Sequence, residues 1–238
     1  CDYTYHMSMI EWKPTIAAEI QEMIAAGITS FKMYMAYDNL WTTDAEIFEA
    51  MKEIKKVNGM LGVHCENGDL VDELIQSYVS QGKLTPHYHP LSRPAAVEAE
   101  AVARYLMIAE MADLSVNIVH LSTKRSLEAV ERARQRGQSV YVETCPQYLL
   151  LDDHLYDAPN FEAAKYVCSP PLRKREDQQA LWQGIKEGAI NTISTDHCSF
   201  NFHGQKTVGK DDFSKIPNGM PRVETRPELI YTEGVAKG

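Results

Sequence analysis

The chain has 238 residues, 44 % of them hydrophobic and 24 % charged, a composition that fits a folded globular protein with a sizeable core. A net charge of -9 excludes the basic surface that nucleic-acid binding requires, and no apolar run approaches the length of a membrane span. The five cysteines, at 1, 65, 145, 168 and 198, are scattered and odd in number, so they read as reduced thiols of a cytoplasmic protein and not as a disulfide framework.

In chain order, the run 2–7 (DYTYHM) reads as a strand already under way behind Cys1, which makes the chain an expected part of a longer one. Ile16, Ile20, Met23 and Ile24 fall on one helical face, stopped at Gly27. The strand 28–35 (ITSFKMYM) then sets one lysine, Lys32, between Phe31 and Met33. An ammonium in so apolar a strand is costly unless it is paired or its chemistry is changed. Thr43 and Glu46 have the spacing of a capping box for a helix whose buried face is Ile47, Met51 and Ile54, ending near Gly59. The strand 60–65 (MLGVHC) carries His64, and "HYH" at 87–89, between Pro86 and Pro90, reads as loop. A longer alanine-rich helix over 94–112 opens at Pro94. The strand 115–121 (SVNIVHL) carries His120, Leu127 and Val130 mark a helix, and 139–144 (SVYVET) is a strand. Leu181 and Ile185 mark another helix, stopped at Gly188, and the strand 189–195 (AINTIST) runs into Asp196.

Six β-α units in series imply parallel strands covered by helices. Periodicity alone leaves an open sheet and a closed barrel both available. Lys32, His64, His120 and Asp196 lie in or just after the C-terminal halves of four different strands, and a β/α barrel gathers those ends at one mouth, where its chemistry sits. The reading is therefore a partial (β/α)8 barrel. With no low-complexity stretch or linker, residues 1–238 form one expected domain holding about strands 3 to 8.

Two histidines and a carboxylate are zinc ligands, and a catalytic site keeps a position open for water. A lysine is normally protonated and a poor ligand. In an apolar site the neutral amine is favoured and becomes nucleophilic. Capture of carbon dioxide makes it a carbamate, whose two oxygens can bridge two metals.

The stretches FKMYMAY (31–37), GVHCEN (62–67), LSRPAAVEAEAV (91–102), NIVHLS (117–122), VETCPQYLLLD (142–152), CSPPLR (168–173), STDHCSF (194–200) and IPNGMPRVETR (216–226) together resemble the dihydropyrimidinase and D-hydantoinase family of the amidohydrolase superfamily. The resemblance implies a metal-dependent (β/α)8 barrel with a small β-sandwich, of which this chain lacks the first strands and the sandwich. It makes Lys32 an N6-carboxylated lysine bridging two zinc ions, His64 and His120 ligands of the second metal, and Asp196 a ligand of the first and the general base and acid. Tyr37 would stabilise the tetrahedral oxyanion, and Ser169 and Asn218 would hold the ring amide. The implied activity is zinc-dependent opening of dihydropyrimidines or 5-substituted hydantoins to N-carbamoyl amino acids through a metal-bridging hydroxide. The small cyclic amide is the only partner implied beyond further copies of the chain, since relatives are commonly tetramers. Gln147 in ETCPQYL favours this branch over the similar allantoinases and dihydroorotases. A non-catalytic scaffold of the collapsin response mediator type is the alternative of another class, disfavoured because Lys32, Tyr37, His64, His120 and Asp196 occur together. A phosphate-binding barrel enzyme is disfavoured because the stretch after 144 is apolar and acidic.

The family's His-x-His pair on the first barrel strand has no counterpart, because His87 and His89 follow no apolar strand. The chain alone is accordingly expected to be inactive. Ordinary readings suffice for the rest: His197 and Cys198 support the aspartate indirectly, His6 is packed, Cys65 and Cys145 are structural thiols, and His154 and His203 are solvated. EIKKVNG and RKRED read as solvated charge.

Overall fold

The structure, a computed structural model, describes residues 3–237; Cys1 and Asp2, which opens the expected first strand, lie outside the described residues. Each of the six apolar runs contains a strand: β1 (His6–Ser8), β2 (Ser30–Tyr34), β3 (Met60–His64), β4 (Val116–Ile118), β5 (Val140–Thr144) and β6 (Thr192–Ile193). They pair in parallel in sequence order, β1 to β6. This is six consecutive strands of a TIM-type barrel, unclosed among the described residues.

The strands are shorter than the apolar runs for identifiable reasons. Tyr3 and Tyr5 are exposed and precede the first ladder pair, His6 with Ser30. After β4 the chain turns through His120 at φ 39° and rejoins its neighbour only where the Leu121 N–H donates to Glu143 O at 2.8 Å. After β6 the break is Asp196 at φ 48°. Two of the four expected metal ligands, His120 and Asp196, thus sit where the backbone leaves the ladder in a left-handed conformation that non-glycine residues seldom adopt.

Alternation sorts the strand residues into two faces. Phe31 and Met33 are buried against the helices, while Ser30, Lys32 and Tyr34 face the other way. In β5, Val140 and Val142 are buried, whereas Tyr141 is exposed and Glu143 half-buried. The register aligns Ser8, Lys32, Gly62, Asn117 and Tyr141 in one row across five strands. The inner face is therefore polar and the outer one apolar, which makes the interior a place for chemistry. Gly62 lies beside Lys32 in that row, and a Cβ there would meet Val119 Cγ1 at 2.9 Å.

The outer layer contains α1 (Ile16–Ala25), α2 (Asp44–Lys56), α3 (Gly68–Ser80), α5 (Ala95–Ala112), α6 (Lys124–Gln135) and the helix Arg175–Lys186. The apolar faces of all but α3 close on Met33, Leu61, Val63, Val116 and Val142, all wholly buried, each stabilising the fold by about 1.5–3 kcal/mol relative to exposure. The expected capping box is present: Thr43 accepts from the Glu46 N–H at 3.3 Å, and the Thr43 N–H donates to Glu46 Oε2 at 2.7 Å. Gly27 and Gly188 take the left-handed helix-stop conformation. At the end of α2, Asn58 takes it instead, at φ 53°; a Cβ on Gly59 would sit 3.0 Å from Ile54 Cγ2. Helix α3 has no counterpart among the expected elements, although Leu70, Val71, Leu74, Ile75 and Tyr78 recur at helical spacing; Ile75, Tyr78 and Val79 pack against a separate apolar cluster around Phe213.

The expectation that 87–89 is loop is corrected by a short helix, α4 (Tyr88–Ser92). His87 is exposed and pairs with Asp157. His89 is buried, and its Nε2 lies 2.8 Å from the carbonyl oxygen of Cys168, to which it donates. Two flanking prolines signalled a turn, but the imidazole found a partner far away in sequence. A second apolar cluster, including Val167, Leu172, Phe213 and Ile216, packs the long connections that follow β5 and β6. No helix among the described residues is long and apolar enough to cross a membrane.

Candidate active site

Lys32 is central in β2, half-buried on the inner face. Among the described residues no carboxylate pairs with its Nζ, which stands 5.3 Å over the Tyr34 ring. Burial lowers its pKa to about 8, against the opposing influence chiefly of Asp196. The shift brings the neutral amine, the form that reacts with carbon dioxide, closer to reach at neutral pH, although the cation still predominates there.

His64 ends β3, next to Tyr34 in the register, and His120 lies two residues beyond β4. Their Nδ1 and Nε2 atoms respectively are 3.0 Å apart, with ring centroids at 4.8 Å. Two lone pairs cannot face each other so closely, so a proton or a cation must lie between them. Tetrahedral zinc at about 2.05 Å from each nitrogen would set them about 3.3 Å apart, close to the spacing found. Burial holds both imidazoles below their ordinary pKa, His120 especially, which is the neutral form a metal ligand needs. The nitrogen donors of His64 and His120 would suit a borderline metal such as zinc, and Lys32 and Asp196, from neighbouring parts of the inner mouth, are the candidates for further ligands.

Tyr37 lies three residues beyond β2 at φ 76°. Its ring centroid is 4.8 Å from that of His64, and the Arg93 guanidinium carbon is 5.9 Å over its ring. Burial pushes its hydroxyl pKa up, despite Arg93, so the phenol remains a donor. Asp196 is exposed, and Arg222 reaches only its backbone carbonyl, at 3.5 Å. Ser169 donates from Oγ to Glu66 Oε2 at 2.8 Å. Asn218 carries a buried Oδ1 with no partner; the next residue, Gly219, donates its N–H to Val167 O at 3.0 Å, which brings Asn218 beside the Cys168–Ser169 segment. A Cβ on Gly219 would sit 2.4 Å from Cys198 O, so only glycine permits that approach.

His197 accepts at Nδ1 from the backbone N–H groups of Arg222 and Val223, at 3.0 and 3.1 Å, and is committed to holding that segment. Cys65 and Cys145 are buried and Cys198 is exposed, none in a disulfide. His154 and His203 are exposed, as expected. His6, expected to be packed, is exposed instead, with Nδ1 2.6 Å from Ser30 Oγ, because β1 is an edge strand here and nothing covers it.

The residues that hold this site were missed. Glu66, fully buried, accepts at Oε2 from His64 Nε2 at 2.8 Å and from Arg93 at 2.7 Å, besides Ser169. It thereby fixes the His64 proton on Nε2 and turns the Nδ1 lone pair to the cation position. Arg173 donates to the Arg93 carbonyl, to Ser122 Oγ at 2.9 Å and to Glu98 at 3.2 Å. Glu98 in turn accepts from the N–H groups of Ser122 and Thr123, each at 3.1 Å. A buried polar chain therefore runs from His64 to the segment just after His120. The sequence marks part of it, since Arg93, Glu98 and Arg173 are charges set in apolar or proline-flanked runs, but it does not say which groups they meet. Gln147 is also buried, with neither amide atom partnered.

No family model matches the chain. Over 100 % of its length it is 41 % identical to the D-hydantoinase of Geobacillus stearothermophilus, covering 51 % of that protein, and 42 % identical to the D-hydantoinase of Rhizobium radiobacter, covering 52 %. It superposes on the dihydropyrimidinase of Brevibacillus agri NCHU1002 with a TM-score of 0.98 at 40 % identity, covering 100 % of this chain and 52 % of that one. The chain thus spans about half the length of the curated relatives it matches, and the resemblance carried by its motifs holds from end to end.

Proposed function

We propose that this chain, a full-length match to half of the D-hydantoinases and dihydropyrimidinases, is the main part of the barrel domain of a cyclic amidase that opens dihydropyrimidine or 5-substituted hydantoin rings to N-carbamoyl amino acids. The observation that carries the reading is the convergence of His64 Nδ1 and His120 Nε2 at 3.0 Å on the inner face that also bears Lys32. In this reading the carboxylated Lys32, His64, His120 and Asp196 hold two zinc ions, with the remaining ligands outside the chain. Bound zinc lowers the pKa of a water and polarises the ring carbonyl. Asp196 takes the proton of the attacking water and returns it to the leaving ring nitrogen. Tyr37, protonated because it is buried, donates to the oxygen that gains charge in the transition state. Ser169 and Asn218 orient the ring amide. The reading extends to a cytoplasmic homotetramer, supported by the unpaired thiols and by the assembly common among relatives.

The test is ring opening by the full-length protein, assayed on dihydrouracil, hydantoin, allantoin and dihydroorotate with bound zinc measured in parallel. Turnover of the first two with about two zinc ions per chain is expected. Preference for allantoin or dihydroorotate would move the protein to the sister branch, and zinc-free inactivity on all four would favour the scaffold alternative. Tyr37→Phe is expected to lower kcat by about 10²–10³-fold, as loss of an oxyanion donor does, with zinc content unchanged. A kcat within twofold of the parent would remove Tyr37 from that role.

A further inference from the structure

Lys206 opens a short 3-10 turn (Lys206–Gly209) and is only 3 % exposed. Among the described residues it pairs with no carboxylate. Its ammonium donates to Val167 O at 2.8 Å and to Pro217 O at 2.6 Å, and it stands 5.5 Å over the Phe200 ring. Burying a cation against neutral carbonyls costs free energy. Desolvation lowers its pKa to about 8, which leaves it mainly cationic at neutral pH.

The two accepting carbonyls lie two residues before Ser169 and one before Asn218. Val167 O accepts twice, since the Gly219 N–H also donates to it at 3.0 Å. Neither Ser169 nor Asn218 is in a helix or strand, so no ladder sets the spacing between their segments. Beside the single backbone bond from Gly219 to Val167, one side chain from a third segment ties them together.

We propose that Lys206 is a positioning residue: its ammonium fixes the separation of the Ser169 and Asn218 segments and so sets how tightly the ring amide of the substrate is gripped. The inference rests on the cyclic amidase reading and adds to it a residue remote from the metal ligands. A cation is suited to the task because one Nζ reaches two carbonyls that converge from different directions, and a hydrogen bond from a charged donor is stronger than one from a neutral group.

In the full-length protein, Lys206→Met is expected to raise KM for hydantoin by about tenfold or more, with kcat changed less than about threefold and zinc content unchanged, the pattern of lost binding common to ground and transition states. Lys206→Gln, which keeps one donor group, is expected to fall between the two. Ethylammonium added to Lys206→Ala is expected to lower its raised KM. Independently of activity, amide exchange at Gly219 is expected to accelerate by about tenfold or more in Lys206→Met while that at His64 is unchanged, as for opening of a local unit. Unchanged KM and exchange would overturn the proposal, as would a joint fall of kcat and zinc content or misfolding of all three variants, each of which would make Lys206 purely structural. If the parent protein opens no cyclic amide, the functional reading fails, and unchanged exchange at Gly219 would separately overturn the coupling.

Discussion

Lys32→Ala in the full-length protein is expected to abolish ring opening by about 10³-fold or more, a barrier change of about 4 kcal/mol, and to reduce bound zinc from about two ions per chain to one or fewer. The size follows from what the side chain would be. A free ammonium beside two cations repels them. A carbamate at the same place would neutralise charge and offer oxygen donors in place of the ammonium. Nothing else on the row formed by Ser8, Gly62, Asn117 and Tyr141 offers a negative group in its stead. A short carboxylic acid such as propionate has the missing pair of oxygens, and the void left by the lysine stem should admit it. Partial recovery of both zinc and turnover with added propionate is therefore expected in Lys32→Ala. Lys32→Arg, whose guanidinium stays protonated and takes up no carbon dioxide, should lose zinc without being rescued. Full activity in Lys32→Ala, or loss of activity with both metals retained, would sink the carbamate role.

That Lys32 could be singled out at all shows which part of the site was legible in sequence. A charge inside a period-two apolar run is locally anomalous, and the ends of parallel strands have a known destination. Lys32, His64, His120 and Asp196 therefore announced themselves, and each is found at or just past the end of an identified strand or, for Lys32, within one. The six strands were legible for the same reason, since alternating Phe31, Met33 and Met35 against Lys32 and Tyr34 is a local pattern. His89 was misread because its reason for burial, the Cys168 carbonyl, lies 79 residues away. Glu66, Arg93, Arg173 and Lys206 escaped for that reason too. The strands could be read residue by residue, but the partners of these buried charges are set by how the loops fold back over the barrel mouth. Helix α3 was as legible as the others, since Leu70, Val71, Leu74, Ile75 and Tyr78 stand at helical spacing, and nothing physical hid it.

Arg93→Met is expected to destabilise the protein by about 3–5 kcal/mol, because it strands the buried Glu66 carboxylate without its countercharge. Glu66 accepts three hydrogen bonds at Oε2, from His64, Arg93 and Ser169, and none at Oε1. Burial alone would raise its pKa; Arg93 and the His64 N–H more than reverse this and hold it well below the ordinary carboxylate range. For a depressed carboxylate, the stabilisation is present above its unfolded pKa and disappears only as pH falls through the folded one. The cost of Arg93→Met should accordingly be full at pH 7. The double variant Glu66→Gln, Arg93→Met removes the charge along with its partner, yet the side-chain amide it introduces keeps an oxygen for the His64 N–H. It is expected to regain most of the lost stability, read as the shift of the urea midpoint. Zinc affinity separates the two roles of the carboxylate. Glu66→Leu, which takes away the acceptor that fixes the His64 tautomer, is expected to weaken zinc binding about 10–100-fold, whereas Glu66→Gln should lose far less. Equal zinc affinity in these two single variants would mean that Glu66 matters to the fold but not to how His64 faces the metal.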